Sequence, residues 1–283
     1  MNAQRSSDSV PVSSWRSARL FVTDEFAAPP VILRVNDSVI GTLGNFSAST
    51  GKAKSKKTFN VCAIVAAAMT GGTVLNYSAS LPPERRRILY VDTEQSRFHC
   101  KRVLCRILRL AGLPTDAHPP LLEFLCLRGY ATKERLRKIE EAIYDLDDLG
   151  LVVIDGIRDL AHDINSPGEA TDLITKLMQW TDERRIHIHT VLHLNKGDDN
   201  TRGHLGTELN NKAETVLQIT KDDFDRDISS VAAMHIRDRD FEPFAFRINA
   251  DALPEQVEDY QLRQTTAAKS FDYAEVCEAK HRE

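Results

Sequence analysis

Eight residues, Gly51-Lys-Ala-Lys-Ser-Lys-Lys-Thr58, have the length and ending of a loop that cradles phosphates. Such a loop needs a glycine for its tight turn and backbone N–H groups around the anion. It also needs a lysine and a magnesium-binding hydroxyl. Gly51, Lys57 and Thr58 stand at the required spacing, and Lys52, Ala53, Lys54, Ser55 and Lys56 supply the backbone between them. Lys56 is the departure, because glycine normally stands there and lets the backbone approach the phosphates. Its side chain either points outward or adds a second ammonium to the anion. For the whole segment, a lysine-rich solvated loop is the plainer alternative.

Other residues extend the same chemistry. Asp155 ends the apolar run LVVID, where a magnesium-associated carboxylate belongs in an open α/β sheet. Glu94, just past ILYVD, either deprotonates an attacking water or caps a helix together with Asp92 or Thr93. His187, His189 and His193 fall on one face of a single strand. Six residues of strand span roughly 20 Å, too far for His187 and His193 to share a metal. His193 alone reads as a sensor of the terminal phosphate, and the other two as structural. Arg237 and Arg239 point the same way at a strand end. They either pair with Asp238 and Asp240 or reach a neighbouring subunit's nucleotide. Arg97, Lys101, Arg102, Arg106 and Arg109 form either a DNA-facing patch or the solvated face of a helix. Lys196, Arg202 and His204 sit in a polar, glycine-containing loop, either an ordinary surface loop or one that contacts nucleic acid.

The elements that must position these residues alternate along the chain. Val31–Gly44 reads as a hairpin turning at Asn36-Asp37, with SVIGTLG as the strand entering the phosphate loop. A helix from Thr58, apolar nearly all round, closes at Gly71-Gly72. Strands follow at 88–92, 121–127, 151–155 and 186–194, with helices at 96–111, 132–149 and 168–184 between them. Phe98, Val103, Leu104, Ile107 and Leu108 mark the inward face of the helix at 96–111. Strand–helix alternation predicts a parallel sheet covered on both faces, and TVLQIT, SVAAMHI and FAFRI an antiparallel edge. Residues 1–30 read as a mobile arm or accessory segment, 31–250 as the main domain and 251–283 as a polar tail.

Composition fits a globular chain of 283 residues, 42% hydrophobic and 28% charged. No apolar run reaches the roughly 20 residues that span a bilayer, and no secretory signal opens the chain, so a cytoplasmic location without membrane contact is expected. Five cysteines without a CxxC pair suit reduced thiols better than a disulfide frame or a zinc site. A net charge of −4 means that any nucleic-acid contact must come from local basic patches.

In this order the segments resemble the RecA-like ATPases, especially the branch of hexameric replicative and plasmid helicases, over about residues 31–250. GKAKSKKT resembles the Walker A loop, LVVIDG Walker B, VDTEQ the strand end holding the catalytic glutamate, and VLHLNKG the sensor strand. TRGHLGTELNNKAETVLQI resembles the DNA-facing loop and next strand, and HIRDRDFEPFAFRI the late strand pair whose basic–x–Arg motif acts in trans. The chain is similar more closely to small ATPases of bacterial mobile elements that share the altered Walker A. The resemblance implies an α/β fold with a RecA-like P-loop NTPase core: a mostly parallel twisted sheet, helices on both faces and an antiparallel edge. It implies ATP and Mg2+ as cofactors, with Lys57 on the β/γ-phosphates, Thr58 and Asp155 on the metal, and Glu94 activating water. It also implies a homo-oligomer, a hexamer being one form, with nucleotide at subunit interfaces and single-stranded DNA as partner. The work would be replication, mobilisation or recombination of a mobile element. No primase or loader segment is recognisable, so unwinding does not follow. Two other readings stand beside it: a non-hydrolysing nucleotide switch that assembles on DNA or a protein, and an interaction module with a decayed site.

Overall fold

The structure, a computed structural model, describes residues 15–194 and 203–260. After a short 3-10 turn at Trp15–Ala18, the first strands are β1 (Val31–Val35) and β2 (Ser38–Thr42). They form the expected hairpin, and Asn36 takes the left-handed conformation (φ 50°) that the tight turn requires. The strand that enters the phosphate loop is not SVIGTLG, which lies in this hairpin, but β3 (Phe46–Gly51). β3 escapes the apolar pattern because Ser47, Ser49 and Thr50 are polar yet buried.

Helix α1 (Lys57–Thr70) leaves the loop and ends at Gly71, whose φ of 64° lets its N–H return to the Ala67 carbonyl. Two further short strands, β4 (Thr73–Val74) and β5 (Tyr77–Ala79), join the hairpin in a four-stranded sheet of order β2-β1-β5-β4. This sheet packs Ile32, Leu33, Val35 and Tyr77 into the cluster that holds α1. The helix is therefore covered by both sheets, which accounts for its apolar character all round.

The chain continues through β6 (Arg87–Asp92), α2 (Arg97–Leu110), β7 (Leu122–Cys126), α3 (Thr132–Asp145), β8 (Leu149–Asp155), α4 (Pro167–Arg184) and β9 (His187–His193). It then forms α5 (Gly203–Lys212), β10 (Thr215–Lys221), β11 (Ile228–Ile236), β12 (Phe244–Ile248) and β13 (Pro254–Val257). Nine strands make the large sheet, in the order β13-β12-β11-β10-β3-β9-β8-β6-β7. From β10 to β7 all neighbours are parallel, while β11, β12 and β13 add the antiparallel edge. Helices α1 and α2 cover one face, and α3, α4 and α5 the other.

Three further expectations need correction. The large sheet runs past residue 250, because β13 pairs with β12. Phe98 is 69% exposed, so the inward face of α2 is set by Cys100, Val103, Ile107 and Leu108. Part of the polar loop after His193 is helical: His204 lies on α5, while Lys196 and Arg202 fall outside the described residues. Among the described residues, no helix is long and apolar enough to cross a membrane. Cys62, Cys100, Cys105 and Cys126 carry free thiols.

A buried polar chain joins the two central strands. His187 Nδ1 faces the Thr42 carbonyl at 2.8 Å, so it must donate there. His187 Nε2 then accepts from Ser47 Oγ at 2.7 Å. Ser47 Oγ in turn accepts from His189 Nδ1 at 2.8 Å, and His189 Nε2 accepts from Ser49 Oγ at 2.9 Å. Every ring nitrogen is used, so both histidines act as neutral pieces of the core. Burial lowers both pKa values, that of His189 to about 3.

Candidate nucleotide site

The parallel register brings the carboxyl ends of four strands to one edge of the sheet. Gly51 pairs with His193, Asp155 with Val191, and Asp92 with Asp155. A cavity of about 360 Å³ opens there, lined by the loop from Lys54 to Phe59 and by Glu94, Asp155 and His193.

The loop is shaped as an anion cradle. Lys54 and Lys56 both have positive φ (66° and 69°), a backbone pattern that turns successive N–H groups inward. Lys56 precedes α1 in a left-handed conformation and provides no side-chain cap, so the first N–H groups of the helix remain available to a ligand. At Gly51 any side chain is excluded, since a Cβ would lie 2.3 Å from the Ile219 carbonyl oxygen and 2.5 Å from Ser55 Oγ. Ser55 Oγ is itself buried without a hydrogen-bond partner. Lys56 thus adopts the backbone shape that glycine would, and its ammonium turns toward the β10–β11 connection to donate to the Asp227 carbonyl at 2.5 Å. Burial lowers its pKa, with Lys221 adding to the effect.

Lys57 is buried beneath the loop. Its ammonium donates to the carbonyls of Gly51 (2.7 Å) and Lys52 (3.0 Å) and to His193 Nδ1 (3.1 Å). An ammonium only donates, so His193 accepts through Nδ1 and presents its Nε2 proton to Glu94 Oε1, 3.4 Å away. Burial pulls the pKa of Lys57 down to about 8, against the attraction of Asp155 and Glu94. Thr58 donates to Asp155 Oδ2 at 2.9 Å, and Tyr90 donates to the same oxygen at 2.8 Å. Burial, then repulsion from Asp92, raises the pKa of Asp155 to about 6 despite those two bonds.

Asp92, not the Glu94 side chain, caps the turn after β6. Its oxygens accept from the Glu94 and Gln95 N–H groups and from Gln95 Nε2, at 2.7–3.0 Å. The Glu94 carboxylate faces the cavity, and its bond to His193 holds its pKa below the usual range. Gly156 keeps this arrangement open: at φ 103°, a Cβ there would stand 2.3 Å from Thr93 Oγ1 and 2.9 Å from Glu94 Cγ.

The cavity suits a nucleotide with magnesium. The uncapped helix start, the nest of N–H groups and the unpartnered Ser55 hydroxyl fit a phosphate chain. The Thr58–Asp155 pair, with Asp155 strained by Asp92, fits a divalent cation. Lys57, Thr58, Asp155, Glu94 and His193 are therefore gathered in one place. Arg237 and Arg239 are not. They follow β11, which runs antiparallel away from the loop for nine residues, roughly 30 Å. Arg237 donates to the Lys212 carbonyl at 3.1 Å, and both arginines are exposed. Asp92 takes the cap that the sequence offered to it with Glu94, whereas Tyr90 and Gly156 lie at the cavity without having been singled out; of those two only Gly156 had a signal, as the residue that follows LVVID.

The large sheet and its site define a RecA-like α/β fold. The chain belongs to the family described as the AAA domain, whose family model matches residues 16–199, more than half of its length. Among solved structures it is similar to one titled "Crystal structure of the RadB recombinase", with a TM-score of 0.53 at 15% identity. That similarity covers 76% of this chain and 92% of the other. No significant match was found among curated proteins.

Proposed function

We propose that the chain is a magnesium-dependent ATPase that works on single-stranded DNA as a homo-oligomer, with nucleotide between subunits. The observation that carries this reading is the convergence of Lys57, the Thr58–Asp155 pair and the Glu94–His193 pair on one cavity. AAA-domain membership supports ATP as the substrate. The likeness in fold to a recombinase supports DNA as the partner.

In this reading the α1 N–H groups and the Lys57 ammonium take the β- and γ-phosphates. Lys57 exchanges its bonds to the Gly51 and Lys52 carbonyls for bonds to phosphate oxygens. Thr58 and Asp155 hold magnesium, which when bound neutralises charge on the phosphate oxygens. Glu94 takes a proton from the attacking water as the water oxygen bonds to the γ-phosphorus. The bond from that phosphorus to the ADP oxygen breaks, and ADP leaves with the electron pair. His193, bonded to both Lys57 and Glu94, reports whether the γ-phosphate is present. Arg237 and Arg239 act on a neighbour's nucleotide, since β11 carries them away from their own loop. A ring of six, helicase-like work and a mobile-element setting belong to the same reading through the motif order.

Phosphate release should be measured against protein concentration, with and without single-stranded DNA. Specific activity rising steeply with concentration, and further with DNA, is expected. Activity per chain that is independent of concentration would exclude the action in trans, and no release at any concentration would exclude hydrolysis.

A further inference from the structure

Arg102 and Arg106 lie one helical turn apart, and both line the nucleotide cavity. The Arg106 guanidinium lies over the Phe59 ring, 3.8 Å from its centroid. Phe59 directly follows Thr58, so this stack forms part of the wall beyond the phosphate loop. The guanidinium is fixed from a second side, because Nε donates to the Ala252 carbonyl at 3.1 Å. The turn that presents this carbonyl is itself held, with Asn249 Oδ1 accepting from the N–H groups of Asp251 and Leu253 at 3.1 and 3.0 Å. Past Arg106 the surface continues into a smaller hollow of about 190 Å³, bounded by Phe98, Arg102 and Leu253.

A guanidinium is flat and weakly hydrated, and it stacks on aromatic faces. One face of Arg106 is taken by Phe59, and the side chain still lines the cavity. A planar group entering beyond the phosphates would complete a sandwich of ring, guanidinium and ring. We infer that Arg106, held between Phe59 and the Ala252 turn, is the seat of the nucleobase and provides most of the site's preference for a nucleotide over a bare polyphosphate. This assignment rests on the nucleotide reading of the cavity given above. It gives the C-terminal strand pair a role in the site: the β12–β13 turn sets the angle of the guanidinium.

The test is a titration of the full chain, in magnesium, with ATP and with inorganic tripolyphosphate. Each ligand is added to the wild type, Arg106→Ala and Arg106→Lys. Loss of one base stack should weaken ATP binding about tenfold in Arg106→Ala and leave tripolyphosphate binding unchanged. Lysine keeps the charge without the plane, so Arg106→Lys should behave like the alanine variant. Retained tripolyphosphate binding also shows that the variant chain is folded, and Phe59→Leu should repeat the selective loss. Equal weakening of both ligands, no weakening of either, or full rescue by lysine would each overturn the assignment. A wild-type chain that binds tripolyphosphate and ATP equally would overturn the base seat while leaving the phosphate site standing. A wild type that binds neither ligand overturns the nucleotide reading itself.

Discussion

Lys56 is the residue at which the phosphate loop departs from its usual pattern, and replacing it tests how the loop is held. Its φ of 69° places an L-residue in the left-handed region, at a cost of about 1–2 kcal/mol. The bond from its ammonium to the Asp227 carbonyl returns about 1 kcal/mol, the usual net worth of such a contact. Lys56→Ala keeps the strain and loses the bond, so it should destabilise the chain by about 1 kcal/mol. Lys56→Gly loses the same bond and removes the strain, with about 0.5–1 kcal/mol given back as extra freedom of the unfolded chain. Glycine should therefore be nearly neutral and more stable than alanine by roughly 0.5–1 kcal/mol. Urea unfolding midpoints of the three proteins, taken at one pH and with equal slopes, read this difference directly. Nucleotide affinity should change little in Lys56→Gly, because the N–H cradle is the one glycine would build. An alanine variant as stable as the glycine variant would refute the claim that backbone strain, offset by the Asp227 bond, defines this position.

Three further outcomes follow from the same geometry. Gly156→Ala puts a Cβ 2.3 Å from Thr93 Oγ1 at a φ of 103°, so it should cost at least about 2 kcal/mol and displace Glu94, read as lost stability with lowered turnover. The pKa of His189 is held near 3 in the folded chain, against about 6.5 unfolded, so the unfolded state binds the extra proton between those values and stability falls as pH falls below 6.5. Wild type should lose about 2 kcal/mol more than His189→Gln between pH 7 and pH 5; the opposing contribution of Asp155, whose pKa is raised to about 6, is common to both proteins. Lys57 titrates near 8 and must be charged to hold phosphate, so nucleotide affinity should decline above pH 8, by up to about tenfold per unit, and Lys57→Arg should remove that decline whatever its absolute affinity.

Much of this architecture was legible in the chain because apolar runs such as ILYVD and LVVID mark strands buried on both faces. The strand-end rule then brought Asp155, Glu94 and His193 to the phosphate loop. β3 was illegible for a physical reason. Ser47 and Ser49 are buried only because His187 and His189, some 140 residues away, satisfy their hydroxyls. The role of Tyr90 was hidden in the same way. Tyr90 reads as one more apolar residue of its strand until Asp155 is set beside its hydroxyl. Arg106 read as one charge among five until Phe59 and Ala252 were placed against it. Periodicity reports burial, whereas these residues depend on which side chain meets which across the sheet.

The central claim is that this cavity hydrolyses the nucleotide it binds, with Glu94 as the base. The most direct measurement pairs ATP binding with single-turnover phosphate release in Glu94→Gln, at a protein concentration where the wild type is active. Binding within a few-fold of wild type, with release reduced by 10²-fold or more, is expected for the loss of a general base. Release at the wild-type rate in Glu94→Gln would contradict the account.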